Sequence, residues 1–480
     1  MILNELLKGI ETVETAGDLN VEITGIVYDS RLAAAGSLFV ALHGVNADGA
    51  AFIEDAVRRG AVAIVSQIPY STGGSFPFIQ VADARLALAQ LSVAFYNAPA
   101  ARLCSVGVTG TNGKTTVSFM LREIFKAAGK RPGLLGTVRY EIGDRVLPAA
   151  RTTPEAPDIH SMFAQMERAG CDSVVMEVSS HALAQHRTFG IEFDAAVFTN
   201  LTQDHLDYHR TLDEYFSVKS QLFTQTKKFA VINADDSYGE KLLADERISA
   251  QKISYGFSDG VAVRGSNAVS NDAGSKMHVE SPWGAAEVSL KLIGQFNLNN
   301  ALAAFATAAA LGVPVDMIVR ALAKMDCVPG RLESIANSKG RKIFVDYAHT
   351  DDALRNVLDA LRPITHGKLI VVFGCGGNRD AGKRELMGAV ASKLADFSII
   401  TNDNPRNEIP EKIAADILTG FDSELKYEII YDRRDAIARG IELTGKKDVL
   451  LIAGKGHETY QEFRGTIVPF DDRETVRELV

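Results

Sequence analysis

Val106-Gly107-Val108-Thr109-Gly110-Thr111-Asn112-Gly113-Lys114-Thr115-Thr116 begins apolar, breaks into glycines and hydroxyls, and gives way to a second periodic run. Residues 103–108 read as a buried strand. After Thr115, the apolar residues Val117, Met120, Leu121, Ile124 and Phe125 recur at helical spacing as far as Gly129, which predicts a helix. The glycines therefore occupy a strand-to-helix turn. There a backbone without side chains lets successive N–H groups point inward, and the helix N-terminus adds partial positive charge. Lys114 adds a full charge and Thr115 offers a hydroxyl to Mg²⁺. Such a turn suits a nucleoside triphosphate. One departure stands out: the general phosphate-loop pattern has glycine five residues before the Gly-Lys pair, where this chain has Val108.

Outward from this turn, 480 residues exceed one core, and about 150 residues per domain suggests three domains. Apolar residues at 46% and charged residues at 23% suit a globular enzyme. A net charge of -9 argues against broad binding to nucleic acid or acidic membranes. An anionic substrate would need local positive charges. Cys104, Cys171, Cys327 and Cys375 have no paired spacing, so neither a disulfide framework nor a structural zinc site is expected. A reducing, cytoplasmic setting and a monomer are expected. Met1 to Lys8 lacks the basic-then-apolar pattern of a secretory signal. No apolar run approaches the roughly 20 residues needed to span a bilayer, and Ala301 to Ala310 reads as a buried helix.

Taken in order, residues 1–98 read as a small α/β unit, with strands over 21–27, 37–41 and 62–65 and a helix over 51–59. A linker follows at Asn97-Ala98-Pro99-Ala100. Residues 99–329 carry the glycine turn and then strands over 173–178, 195–200 and 229–233 alternating with helices, which implies a mainly parallel sheet covered on both faces. Residues 253–292 change to short alternating runs and read as a β-rich excursion. Residues 330–480 repeat the alternation, with strands over 342–347, 369–373, 397–401, 427–430 and 449–453, as in a doubly wound, Rossmann-like domain. Gly374-Cys375-Gly376-Gly377 follows one of these strands, but no G-x-G-x-x-G completes a dinucleotide motif.

Glu177 and Asn200 close two central strands, at the carboxyl ends where an open parallel sheet meets its ligand. Glu177 and His205 are therefore candidates to meet metal and phosphates. His205 and His209 lie four apart, but no Glu follows His205 and no third zinc ligand is evident. Lys219 lies on an aromatic-flanked amphipathic helix, where composition alone reads a solvated side chain.

Several motifs together carry one resemblance. They are Thr109 to Thr116, Glu177-Val178-Ser179-Ser180-His181, Asn200-Leu201-Thr202 with His205, Tyr215-Phe216 with Lys219, Gly294-Gln295-Phe296-Asn297 with Asn300, Gly330-Arg331 and Asp346-Tyr347-Ala348-His349. Over essentially its whole length the chain resembles the Mur ligases of peptidoglycan synthesis, in their diaminopimelate-adding branch. The resemblance implies an ATP-dependent amide ligase. ATP would convert the D-Glu side-chain carboxylate of UDP-N-acetylmuramoyl-L-alanyl-D-glutamate into an acyl phosphate, and the amine of meso-diaminopimelate would then displace phosphate.

By the same resemblance, Gly110, Thr111, Asn112, Gly113, Lys114, Thr115 and Thr116 hold the phosphates. Thr115 and Glu177 bind one Mg²⁺, and His205 and a carbamylated Lys219 bind a second. Asn297 and Asn300 serve the adenine side, and Arg331 and Asp346 reach the nucleotide. Ser30, Asn46 and Ala47 hold the uridine end, while Thr152, Thr153, Ser179, Gln185 and Arg187 hold the sugar and peptide. Arg151 stands where relatives are expected to carry Asn. Asp403, Asn404, Pro405 and Arg406, with Arg379, Gly454 and Glu458, form the amino-acid pocket. Arg406 can clamp the distal carboxylate and Glu458 the ammonium of diaminopimelate. Asp351-Asp352 replaces the family's Pro then Asp after His349-Thr350, where Thr350 reads as a helix N-cap. The competing expectations are a lysine-adding or folylpolyglutamate-type ligase, against which Arg406 and the segment Tyr28 to Arg31 argue, and a nucleotide-gated protein without chemistry.

Overall fold

The computed structural model describes residues 1–44, 48–70, 76–204, 208–422 and 427–480. The chain folds into two compact units. The first comprises Met1–Gly107, Lys130–Ala196 and Gln221–Lys228, and the second comprises Val108–Gly129, Val197–Ser220 and Phe229–Val480.

In the first unit, a five-stranded sheet runs in the order Glu14–Ala16, Phe78–Gln80, Ala61–Ser66, Ser37–Ala41, Gly25–Val27. All its pairs are parallel except that of the Glu14–Ala16 edge. Its central strands are apolar without alternation because both faces are covered. Leu38, Val40, Ala63 and Val65 pack under helix Ala84–Phe95 through Leu88 and Leu91. Phe39, Ala41 and Ile64 pack with Ile53 and Ala56 of helix Ile53–Arg58. The expected strand over 21–27 shrinks to Gly25–Val27, because Val21 and Ile23 pair with the first residues of the chain, Leu3 N–H donating to Val21 O and Ile23 N–H to Met1 O. Farther along this unit, Ser173–Glu177 pairs in parallel with Pro132–Leu135, and the hairpin Arg139–Ile142 and Arg145–Pro148 adds antiparallel strands.

In the second unit, Phe229–Asn233 and Gln251–Gly256 pair in parallel. Val263–Asn271, Gly274–Glu280 and Ala286–Leu290 then form the expected β-rich excursion, and the structure pairs them antiparallel. Helix Gln295–Ala310 is buried almost throughout, as its alanine-rich sequence requires. A six-stranded sheet follows in the order Glu333–Ser334, Lys342–Asp346, Val449–Ala453, Leu369–Phe373, Phe397–Ile400, Tyr427–Ile429. It is parallel apart from the first pair. Leu369, Val371 and Phe373 face Leu358, Met387 and Val390. Ile370 and Val372 face Ile437, Ile441 and Val476. Helices thus cover both faces of an α/β sheet. Among the described residues no helix is long and apolar enough to cross a membrane.

Candidate active site

Strand Cys104–Thr109 ends where helix Lys114–Ala127 has yet to begin. Gly110 and Gly113 have φ of +143° and +88°, values that glycine adopts at little cost. A Cβ on Gly110 would lie 1.9 Å from Thr199 Oγ1, and one on Gly113 would lie 2.4 Å from Asn300 Oδ1. The loop is therefore gripped from two sides. Asn200 fixes it by pairing with the backbone of Asn112, accepting from its N–H at 2.9 Å and donating to its carbonyl at 3.2 Å. Thr199 donates to the same carbonyl at 2.6 Å. Half-buried Lys114 folds back, its Nζ 3.0 Å from the carbonyl oxygens of both Gly110 and Thr111.

Lys219 lies beneath this loop. Composition alone reads it as solvated, yet it is 1% exposed. Helix Leu212–Thr224 sets it against the ring of Tyr215, 4.5 Å from the centroid, and Nζ donates to Gly110 O at 2.9 Å. Burial pushes its amine well below the ordinary lysine value, and Lys114 adds to the effect. Both effects favour the neutral form of the amine over the charged one. Thr115 is buried and accepts from Arg331 Nη2 at 3.0 Å, while the Arg331 guanidinium stacks on Tyr347 at 4.5 Å. Asn300 donates to Asn297 Oδ1 at 3.3 Å, and Asn297 to Ile293 O at 2.8 Å. Asp346 ends its strand by accepting from Leu332 and Ala348 N–H groups, and burial raises its pKa.

A second cluster in the same unit surrounds Asp403-Asn404-Pro405-Arg406. Gly374 and Gly377 serve close backbone approach, since a Cβ on them would lie 2.0 Å from Thr401 O and Pro405 O. That use of the glycines replaces the dinucleotide hint. Lys455 lies fully buried, with Nζ donating to Asn404 Oδ1 at 3.0 Å, Glu458 Oε2 at 3.1 Å and Asp403 Oδ1 at 3.3 Å. Burial alone would raise the Asp403 pKa, but Lys455 and Arg433 outweigh it and hold the carboxyl below its ordinary value. Asn404 donates to Glu458 at 3.1 Å. Gly454 is buried with φ +113°, and Arg379 is exposed. A Cβ on Gly376 would approach Arg406 Nη1 at 3.1 Å and Arg379 Cγ at 3.7 Å.

The first unit carries its own polar cluster. Glu177, fully buried, accepts from the N–H and hydroxyl of Thr137, each at 2.8 Å, and Thr137 Oγ1 in turn lies 3.0 Å from the Thr152 hydroxyl, which is left as the donor of that pair. Thr153 donates to Glu177 O at 2.8 Å and accepts from Ser179 N–H at 3.0 Å. Ser179 caps the short helix Ser180–Ala184. Arg187, nine-tenths buried, donates to Thr153 O at 2.9 Å and Gln185 Oε1 at 2.7 Å. It also pairs with Glu155 at 3.0 Å, and Arg151 reaches the same carboxylate. Ser30 donates to Asp55 at 2.9 Å. Asn46, Ala47 and His205 lie outside the described residues.

Comparison with known proteins joins these pieces. The Mur ligase family, catalytic domain, matches residues 22–96. The Mur ligase middle domain matches residues 108–308, and the Mur ligase, glutamate ligase domain, matches residues 330–456. The chain belongs to the Mur ligase family. A UDP-N-acetylmuramoyl-L-alanyl-D-glutamate--2,6-diaminopimelate ligase of Caldanaerobacter subterraneus subsp. tengcongensis is 44% identical over 481 residues, covering 100% of this Mur ligase and 99% of the relative. One so named from Geobacillus kaustophilus is 44% identical over 470 residues, covering 96% and 95%. A solved structure of a ligase with that name is 32% identical, with a TM-score of 0.69 and coverage of 100% and 98%.

Sequence reasoning missed several residues that this Mur ligase brings to these clusters. Lys455 sits between two of the expected pocket residues, and its signal was a lysine bracketed by Gly454 and Gly456 at the end of an apolar strand. Glu155 and Arg85 had no such signal. They join Arg187 only through the fold, Arg85 donating to Gln185 Oε1 at 3.2 Å.

Proposed function

We infer that this Mur ligase adds meso-diaminopimelate to the D-Glu side-chain carboxylate of UDP-N-acetylmuramoyl-L-alanyl-D-glutamate, driven by ATP, in peptidoglycan precursor synthesis. The observation that carries this reading is the pocket of Asp403, Asn404, Arg406 and Glu458 around buried Lys455, in a chain 44% identical to ligases named for that addition. Three stretches in the order of the three family matches support division of the chain at 1–98, 99–329 and 330–480.

In this reading the γ-phosphoryl group of ATP passes to a substrate carboxylate oxygen, leaving ADP and an acyl phosphate. The free amine of diaminopimelate attacks the acyl carbon, a tetrahedral intermediate forms, and phosphate leaves as the amide closes. Lys114 and the N–H groups of Gly110 to Thr116 neutralise the phosphates. Asn297 and Asn300 serve the adenine, and Arg331 and Asp346 the rest of the nucleotide. Thr152, Thr153, Ser179, Gln185 and Arg187 bind the sugar and peptide, and Ser30, Asn46 and Ala47 the uridine end. Arg406 answers the distal carboxylate and Glu458 the ammonium, with Asp403, Asn404, Pro405, Arg379 and Gly454 completing the pocket.

Mg²⁺ would supply charge neutralisation at the phosphates, and each residue that the family resemblance assigns to it is of a type suited to a hard cation. Glu177 is a buried carboxylate and Thr115 a buried hydroxyl. Burial lowers the pKa of the Lys219 amine; as a carbamate it would offer oxygen donors, and His205 would complete the proposed set. The enzyme is taken to be cytoplasmic and monomeric.

The test is isotopic. With ¹⁸O in the D-Glu side-chain carboxylate, one label should appear in released phosphate and the product should gain the mass of diaminopimelate less water. Unlabelled phosphate would rule out the acyl phosphate.

A further inference from the structure

The loop that carries Arg406 is held from one side by a hairpin, Tyr460–Phe463 and Thr466–Pro469, which no sequence motif announced. Arg406 N–H donates to Glu462 O at 3.0 Å, and Arg464 N–H returns to Arg406 O at 2.8 Å. Gln461 Nε2 donates to Asp403 O at 3.0 Å, and Glu462 N–H to Asn404 Oδ1 at 3.0 Å. The hairpin holds Arg406 in a left-handed conformation, φ +51°, which a non-glycine residue adopts only when its surroundings impose it.

The side chain is fixed as firmly as the backbone. Arg406 Nε donates to Glu462 Oε2 at 3.0 Å, and Nη1 donates to Gly377 O at 2.8 Å. A guanidinium has five N–H donors in a planar fork. Glu462 takes the Nε hydrogen through one oxygen and Gly377 O takes one Nη1 hydrogen, which leaves one Nη1 and two Nη2 hydrogens for a ligand. Gly376 lies against this guanidinium, and a Cβ there would crowd Nη1 at 3.1 Å.

We propose that Glu462 is a positioning residue for substrate choice. It orients the Arg406 guanidinium so that its Nη1–Nη2 edge meets the distal carboxylate of a diamino acid. Glu462 also offsets the charge of Arg406, which favours a ligand that brings a correctly placed carboxylate over one that merely brings negative charge. This inference rests on the amino-acid pocket assigned above.

The experiment measures steady-state turnover with meso-diaminopimelate and with L-lysine for the wild type, Glu462→Gln, Glu462→Ala, Arg406→Ala and the Arg406→Ala/Glu462→Ala double variant. Glu462→Ala should raise the KM for diaminopimelate about tenfold or more, since misplaced binding groups cost factors of that size. The KM values for ATP and for the nucleotide-sugar peptide should stay within about twofold, which a general loss of fold would not spare. Glu462→Gln, whose amide oxygen still accepts from Nε, should recover part of the loss. Removing Glu462 in the Arg406→Ala background should change nothing more. An unchanged or lowered KM for diaminopimelate in both Glu462 variants, with Arg406→Ala still impaired, overturns the role of Glu462 alone. If Arg406→Ala keeps full preference for diaminopimelate over lysine, the pocket assignment itself falls.

Discussion

Lys219 Nζ donates to the carbonyl oxygen of Gly110 at 2.9 Å, inside a site where the amine is 1% exposed. The glycine turn between Thr109 and Lys114 thus supplies the partner of a lysine whose pKa burial lowers. Below the ordinary lysine value near 10.4 the unfolded chain binds a proton that the folded chain does not, so folding stability rises with pH across that window. In CO₂-free buffer, the stability of the wild type minus that of Lys219→Met should therefore increase as pH is raised from the depressed value toward about 10. Denaturant titrations at several pH values check this. A flat difference would contradict a neutral Lys219.

Under the carbamylation proposed for this lysine, activity depends on CO₂. Turnover should fall when CO₂ is stripped from the assay and return on adding bicarbonate, while Lys219→Met is inactive under both conditions.

Lys455 holds Asp403, Asn404 and Glu458 at once. Lys455→Met leaves two carboxylates without their buried partner, a loss of roughly 3–5 kcal/mol for groups of this kind. A lower melting temperature and a KM for diaminopimelate raised at least tenfold are expected, with the KM for ATP nearly unchanged. Equal losses for both substrates would mean that Lys455 serves only the fold.

Gly377 allows the Asp403 to Arg406 loop to lie against it, because a Cβ there would sit 2.0 Å from Pro405 O. Gly377→Ala must shift that loop. Calorimetry should show diaminopimelate binding lost and nucleotide binding retained.

How much of this was legible in the sequence follows the range of each interaction. The strand, glycine turn and helix at 104–127 were readable because their signals are local. So were the apolar strands of both flanking sheets, whose unbroken runs reflect burial on two faces. The hairpins at 139–148 and 460–469 were not, because their strands are only four residues long and lack a sustained apolar alternation. Arg464 and Gly465, both at positive φ, carry the turn of the second hairpin. Composition alone read Lys219 as solvated because its burial depends on the glycine turn, about a hundred residues earlier, where Gly110 O accepts from its amine; Tyr215, one helical turn away, covers it only once that packing exists. Lys455 and Glu462 act through contacts to 403–406 that only the fold creates.

Arg187 is fixed by Thr153 O, Gln185 and Glu155. Lysine cannot keep this fork. Arg187→Lys should raise the KM for the nucleotide-sugar peptide about tenfold or more while sparing the KM for diaminopimelate. A change confined to diaminopimelate would reassign the residue.

The most direct measurement is phosphate release from ATP in the presence of UDP-N-acetylmuramoyl-L-alanyl-D-glutamate, with meso-diaminopimelate and L-lysine supplied in parallel. Steady release with diaminopimelate, and release lower by on the order of 10⁴ in kcat/KM with lysine, is expected of a site built around the Arg406 guanidinium. Equal turnover with lysine would remove the specificity argument, and no release with either amino acid would contradict the ligase assignment itself.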